Sequence, residues 1–395
     1  MSTSASKSLH DVIARNLADV PPSGIRDFFE IVSTMEDVIS LGIGEPDFDA
    51  PWHIREASIF GLEKGATSYT SNLGLLGLRR AIANYVKKTF SLQYDPQREV
   101  LVTVGVSEAL DLAIRAICNP GDEIMYHEPC YVSYGPLIQF AHGRPVIVPT
   151  TIENEFRVTR DALEERVGPR TKALILNYPN NPTGAALTRN DAKDIADFVS
   201  DHDLILITDE IYAELTYHQD HLSPATFPGM RERTIFLHGF SKAWAMTGFR
   251  IGYACAPPAL TDAMMKIHQY TMLCAPILSQ EAAIAALDEP ERDIADMKSE
   301  YEKRRNFLQN SFGEMGLPCF EPRGAFYAFP SVRETGLSSK AFALRLLEEE
   351  KVACVPGTAF GASGEGFVRC AYATALDDLK EAMHRMAAFL DRLRT

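Results

Sequence analysis

The 395-residue chain has no cysteine pair at metal or redox spacing. Its seven cysteines (Cys118, Cys130, Cys255, Cys274, Cys319, Cys354 and Cys370) are odd in number, widely spaced, and never form a CxxC. That argues against a disulfide framework and a zinc site and leaves reduced thiols, several of them small core residues in apolar runs. Basic excess is also missing. With 39 Lys and Arg against 53 Asp and Glu, the net charge is −14 and no Lys/Arg run interrupts it. A nucleic-acid partner, which demands basic patches, is not expected. No apolar run approaches the roughly 20 residues of a membrane span, so no membrane partner is expected. Met1–Asn16, though Ser-rich, has no apolar stretch of signal-peptide type. A cytoplasmic protein is expected. Neither GxGxxG nor GxxxxGK(S/T) occurs, so neither a dinucleotide nor a nucleoside triphosphate is indicated. Internal repeats and low-complexity linkers are absent as well.

What is present is an ordinary globular balance, 46% hydrophobic and 23% charged, over a length that suits two domains. A polar start leads to Ile25–Val32, whose apolar spacing is helical. Short apolar runs then alternate with amphipathic segments. Strands are predicted over Glu99–Val104, Glu123–Tyr126, Pro145–Pro149, Lys172–Asn177, Leu204–Thr208, Thr234–His238 and Arg250–Ala254. Helices are predicted over Ser107–Cys118, near Val132–Ala141, and over Arg189–His202. This pattern argues for a mostly parallel sheet covered by helices on both faces, an α/β fold. A long helical pattern near Ser279–Met315 joins it to a smaller α+β part. That part has strands at Ala325–Phe329, Val352–Val355 and Phe367–Tyr372, with helices at Ser339–Glu350 and from Ala375. The expected division is 1–50 as an N-terminal arm with part of the small domain, 51–285 as the large domain, and 286–395 as the C-terminal small domain.

Ligands of open α/β sheets sit beyond the carboxyl ends of the strands, and four loops fall there. Thr103–Ala109 takes a strand through Gly105 into a helix whose free N–H groups suit an anion; Ser107 reads equally well as a plain N-cap. Asn177–Gly184 is a rigid turn with two prolines, in which the Asn181 amide can donate to a phenolate-type oxygen. Leu204–Tyr212 delivers Asp209 at a strand tip, where a buried carboxylate needs a cation or several donors, and a protonated pyridine nitrogen would serve. An N-cap role for Asp209 and a core role for Tyr212 stay open. The fourth loop, His238–Gly252, carries Lys242 after an apolar run and Arg250 eight residues later, an amine for an aldehyde and a guanidinium for a phosphate. At an unperturbed pKa of about 10.4, only roughly one lysine in a few thousand is neutral at pH 7. Arg369, on the apolar segment Gly366–Tyr372, is either a carboxylate clamp or half of a structural ion pair.

These loops together resemble the class I/II pyridoxal-phosphate aminotransferases of fold type I. The resemblance rests on SKAWAMTGFRIG at 241–252, NNPTG at 180–184, DEIY at 209–212 and GFVRCAYA at 366–373. LGIGEPDF at 41–48, YTSNLGLLGLRRAIA at 69–83, PRGAFYAFP at 322–330 and VPGTAFG at 355–361 extend it over nearly the whole chain. It is closest to the subgroup of archaeal-type aromatic and broad aspartate aminotransferases.

The resemblance implies pyridoxal 5′-phosphate as cofactor, with Lys242 bonding its aldehyde and shuttling a proton. It places Asp209 on the pyridine nitrogen, Tyr212 and Asn181 on the ring oxygen, and Tyr131 stacked on the ring. Gly105, Val106, Ser107 and Arg250 would hold the phosphate, with Tyr69 reaching over from a second subunit. Arg369, Asn181 and the Gly44 backbone would bind the substrate α-carboxylate. A homodimer with shared sites follows, and no metal site is expected. Gly239 departs from the family pattern, which has a phosphate-contacting serine three residues before the lysine; Ser241 is the substitute within reach. No second arginine for a side-chain carboxylate is evident, and the stacking residue is tyrosine rather than tryptophan.

The implied reaction is ping-pong transamination between an aromatic or broad aspartate-type L-amino acid and a 2-oxo acid, 2-oxoglutarate. The alternative is a pyridoxal-phosphate lyase for C–S or other β/γ-elimination. A DNA-binding regulator lacks its basic extension, and a nicotinamide dehydrogenase lacks its glycine fingerprint. His127, His238 and His268 read as satisfied core or cleft residues.

Overall fold

The computed structural model describes residues 12–18, 20, 32, 35–288 and 290–394. The helix expected over Ile25–Val32 lies, Val32 apart, outside the described residues. In chain order the elements that position the site are β1 (Ile39–Ser40), α1 (Trp52–Glu63), α2 (Leu76–Phe90), β2 (Val100–Thr103), α3 (Gly105–Ile117), β3 (Glu123–Glu128), α4 (Tyr134–Phe140), β4 (Arg144–Pro149), β5 (Thr171–Asn177), α5 (Arg189–Asp201), β6 (Ile205–Asp209), β7 (Thr234–Gly239), β8 (Gly252–Cys255), α6 (Pro258–Thr271), α7 (Ile277–Asp288), α8 (Pro290–Glu314), β9 (Tyr327–Ala328), α9 (Ser339–Glu350), β10 (Val352–Ala353), β11 (Val355–Pro356), β12 (Val368–Ala371) and α10 (Leu376–Arg394).

Seven strands form one sheet in the order β2-β8-β7-β6-β5-β3-β4. Its pairs are parallel except those of β8, which runs antiparallel to both β2 and β7. The sequence pattern does not encode that reversal. It follows from the connection Phe240–Ile251, which contains no crossover helix and so returns the chain in the opposite direction. The central strands are buried along nearly their whole length, as unbroken apolar runs require of a sheet covered on two faces. Helix α5 shows why the flanks are helical. Thr188 and Asp191 form a capping box at its start, and Ala192, Ile195, Ala196, Phe198 and Val199 make one buried stripe.

The second layer is a three-stranded sheet, β11-β12-β9, with β1 paired parallel to β10 beside it. Tyr301, Phe312, Phe326, Phe342, Leu346 and Phe389 fill its core. Leu41 donates to the Ala353 carbonyl and accepts from Ala371 N–H, at 2.8 and 2.7 Å. This tie leads Gly42–Glu45 out of the small sheet and across to the large one.

Local boundaries differ from the sequence expectation in several places, and the strand expected over Val352–Val355 is two, β10 and β11, in different sheets. The helical pattern expected over Ser279–Met315 is described as α7, from Ile277 to Asp288, and α8, from Pro290 to Glu314. The strand expected from Arg250 begins at Gly252, because Arg250 has φ +51°. Ala325 likewise has φ +59°, which delays β9 to Tyr327. The helix expected from Ser107 begins at Gly105.

Candidate active site

A cavity of about 370 Å3 opens at the carboxyl ends of β5, β6 and β7. Because β8 is antiparallel, its first residue, Gly252, pairs with Thr103 and Gly239 at this same edge, which brings Arg250 there. Among the residues singled out from sequence, Gly44, Val106, Ser107, Tyr131, Asn181, Asp209, Tyr212, Ser241, Lys242, Arg250 and Arg369 line the cavity. Gly105 lies directly beneath Arg250. Tyr69 is not in this cavity wall; it stands 82% exposed on the outer surface.

The Lys242 amine donates to the Gly44 carbonyl at 2.7 Å and lies within 6 Å of the Tyr212 and Phe326 ring centres. Desolvation pushes its ammonium down to about 8, with Arg369 and Arg250 acting in the same direction and Glu45 opposing. At pH 7 about one Lys242 in ten is then a neutral nucleophile, against roughly one in a few thousand for a free lysine.

Asp209 is buried at the tip of β6. Tyr134 Oη donates to its Oδ2 at 2.8 Å, and Asn177 Nδ2 holds its carbonyl at 2.8 Å. Burial raises its carboxyl to about 6, against the Tyr134 hydrogen bond and the Ile211 N–H. Among the described residues no cation forms an ion pair with it. A buried carboxylate that faces a cavity in this condition fits a protonated ring nitrogen.

The Arg250 end of the cavity is built by close approach. A Cβ on Gly252 would lie 2.7 Å from Gly105 C and Val106 N, and one on Gly105 (φ +74°) would lie 2.8 Å from an Arg250 guanidinium nitrogen. Only glycines let the loop, the strand and the guanidinium meet there. The first turn of α3 aims its free N–H groups at the same place, while Val104 N–H is taken by Glu108 Oε2 at 2.5 Å. The Arg250 side chain makes one hydrogen bond, to the Thr247 carbonyl at 3.1 Å, and no ion pair among the described residues. Gly239 also has a physical reason. A Cβ there would sit 2.9 Å from Val106 Cγ2 and 3.0 Å from Gly252 Cα, so no serine fits beside Val106.

Arg369 is buried in β12. One terminal nitrogen donates to Asn181 Oδ1 at 2.9 Å and the other to the Gly42 carbonyl at 2.6 Å. Its guanidinium carbon lies 4.5 Å from the Tyr327 ring centre and 4.7 Å from that of Phe360. Its Nε has no partner, and no carboxylate among the described residues pairs with it. The structural ion pair that the sequence left open is therefore not formed. A planar cation, fixed between two rings and still holding an unused buried donor, fits an incoming carboxylate.

Four residues of the site escaped the sequence reading. Asn177 orients Asn181 by accepting its N–H at 3.0 Å. Glu45 lines the cavity and accepts from Thr247 Oγ1. Tyr134, one helical turn after Tyr131, holds Asp209, and that spacing was the available signal. Tyr327 bonds Tyr212 Oη to Oη at 2.8 Å; the sequence pattern carried no sign of that contact.

A buried amine, a buried carboxylate without an ion-pair partner among the described residues, a glycine-lined helix start beside Arg250 and a buried guanidinium with an unused donor surround one cavity, an arrangement that fits pyridoxal phosphate. Residues 36–386 match the model of the aminotransferase class I and II family, and the chain belongs to that family. It is a pyridoxal-phosphate-dependent aminotransferase of fold type I, and the elimination lyase is not favoured. It is 45% identical to aromatic-amino-acid aminotransferase 2 of Thermococcus litoralis, with 96% of this chain and 98% of that protein aligned. It is 47% identical to an aspartate aminotransferase of Pyrococcus abyssi over 94% of this chain and 96% of that one. The crystal structure of an aromatic aminotransferase from Pyrococcus horikoshii superposes with a TM-score of 0.89 at 46% identity, covering 94% of this chain and 99% of that one. No helix among the described residues is long and apolar enough to cross a membrane.

Proposed function

We propose that the chain moves the amino group of an aromatic or broad aspartate-type L-amino acid to a 2-oxo acid, 2-oxoglutarate, in two half-reactions at this cavity. The observation that carries the reading is Arg369, a buried guanidinium with no acidic partner among the described residues, lining the same cavity as the Lys242 amine. When bound, pyridoxal phosphate supplies an aldehyde for amines and a ring that accepts the electron pair left at the substrate Cα. The chain does the rest. Arg369 and the Asn181 amide, with the Gly44 backbone, fix the α-carboxylate and so turn Cα toward Lys242. The Lys242 amine, freed from the cofactor, would be the base that takes the Cα proton and the acid that gives it back. Asp209, held by Tyr134, would keep the ring nitrogen protonated. Tyr212 and the Asn181 Nδ2 would donate to the ring oxygen, and Tyr131 would cover the ring. Gly105, Val106, Ser107, Ser241 and Arg250 would hold the phosphate.

Among donors, charge favours the aromatic class. The lining cations Lys242, Arg250 and Arg369 all have roles, and beside Asp209, which faces the ring nitrogen in this reading, Glu45 is the lining carboxylate that a second carboxylate would meet. The names of the aromatic and aspartate relatives support both donor types. Mixing the loaded enzyme with single amino acids and following the bound cofactor's absorbance tests the order; reaction with aliphatic dicarboxylates alone would remove the aromatic reading.

The working unit in this reading is a homodimer with Tyr69 entering the other copy's phosphate site. Supporting it, Tyr69 belongs to an exposed apolar surface with Tyr270, Met272 and Leu273, stitched by Asn72 Nδ2 to the Leu273 carbonyl at 2.7 Å. Sedimentation at assay concentration tests it. A division into 1–50 as an N-terminal arm with part of the small domain, 51–285 as the large domain and 286–395 as the C-terminal small domain is supported by the seven-stranded sheet falling within the second span and the three-stranded sheet within the third. A cytoplasmic location accords with seven unpaired cysteines.

A further inference from the structure

We propose that Tyr327 is a positioning residue that aims the Tyr212 hydroxyl at the cofactor's ring oxygen; this rests on the pyridoxal-phosphate reading above. Tyr212 lies in the loop that follows β6 and Tyr327 in the strand β9 of the other sheet, and both are buried. Their hydroxyls meet at 2.8 Å, with the rings edge-on at 5.7 Å between centres. A phenol has one proton and can accept through its oxygen. If Tyr212 spends its proton on Tyr327, nothing is left for a ring oxygen. If Tyr327 spends its proton on Tyr212, the Tyr212 proton is free to point into the cavity and is a stronger donor for being bonded from behind.

The surroundings favour the second arrangement. Burial raises both phenols, but Arg369 lies over the Tyr327 ring at 4.5 Å and offsets part of that rise at Tyr327, whereas the Tyr212 phenol is driven well above its ordinary range. Tyr327 is thus the better donor of the pair and Tyr212 the better acceptor. Gly44 leaves the space for this. A Cβ at position 44 would lie 2.6 Å from Tyr327 Oη, so the missing side chain is where the hydroxyl sits. The Tyr327 ring does separate work by stacking on Arg369, so loss of the hydroxyl and loss of the ring have different consequences.

Tyr327→Phe removes the hydroxyl and keeps the ring. A ring oxygen whose charge is drawn off by Tyr212 holds the neighbouring lysine-derived nitrogen's proton less tightly. The pH at which the loaded, substrate-free enzyme changes colour therefore rises in Tyr327→Phe, and cofactor dissociation strengthens about two- to tenfold, the range of one ordinary hydrogen bond. Binding of a monocarboxylate inhibitor stays within about twofold, because Arg369 keeps its ring. Gly44→Ala, which pushes the hydroxyl away, moves the spectral pKa in the same direction. An unchanged spectral pKa and cofactor affinity in Tyr327→Phe overturns the proposal. So does an equal loss of inhibitor binding, which would mean the ring had moved. If the wild-type chain itself takes up no pyridoxal phosphate, the cofactor reading fails instead, before Tyr327 is tested.

Discussion

Arg369→Lys keeps the charge in β12 and removes the planar fork. Two of its nitrogens are committed, to Asn181 Oδ1 at 2.9 Å and the Gly42 carbonyl at 2.6 Å, which leaves Nε and the outward N–H groups for a carboxylate. A lysine ammonium reaches the carboxylate as a single point and cannot lie flat between Tyr327 and Phe360. At least one charge-assisted hydrogen bond to substrate is lost, about 1.5–3 kcal/mol, or about 10- to 150-fold in kcat/KM. The same factor should appear in the dissociation constant of a carboxylate inhibitor, since the contact is made in the ground state. Gly42 O or Asn181 Oδ1, left without its donor, costs a further ~1–3 kcal/mol of folding stability. The assay is the first half-reaction under single-turnover conditions, with a tyrosine or phenylalanine donor and with aspartate, on enzyme whose cofactor content matches the wild type. A second-order rate constant within twofold of the wild type for both donors would refute the clamp.

Cofactor uptake by the stripped protein needs a neutral Lys242. Its rate should climb about tenfold per pH unit up to about 8 and level off above, in a stopped-flow pH series; a climb that continues beyond 10 would mean the cavity does not lower this amine. Tyr134→Phe removes a hydrogen bond that holds the Asp209 carboxyl down, so in cofactor-free protein that carboxyl should titrate above its present value of about 6, by difference infrared spectroscopy. Gly239→Ser should destabilise the fold by about 1–3 kcal/mol in denaturant unfolding, and adding Val106→Ala should recover the part due to the valine methyl; a neutral single variant would refute the packing argument.

The sequence made the sheet's centre readable because β5, β6 and β7 are covered on both faces, which leaves an apolar run bounded by polar punctuation. The loops after those strands were readable for a related reason. Asp209 ends the apolar run of β6, and Asn181 and Lys242 follow β5 and β7 within a few residues, so their place beyond the strand ends is a local fact. Contacts made across the fold were not readable. Tyr134 reaches Asp209 across 75 residues of sequence, and Tyr327 reaches Tyr212 across 115. The direction of β8 depends on how Phe240–Ile251 folds, which apolar periodicity does not record. Gly239 read as a departure because its reason, the Val106 methyl, lies 133 positions earlier in the chain.

The central claim is that Lys242 is the amine that bonds the cofactor. Borohydride reduction of the loaded enzyme followed by peptide mass analysis tests it directly. The account predicts one modified peptide, carrying the pyridoxyl group on Lys242, and a Lys242→Ala variant that binds cofactor reversibly without turnover. A pyridoxyl group on another lysine, or wild-type turnover by Lys242→Ala, would contradict it.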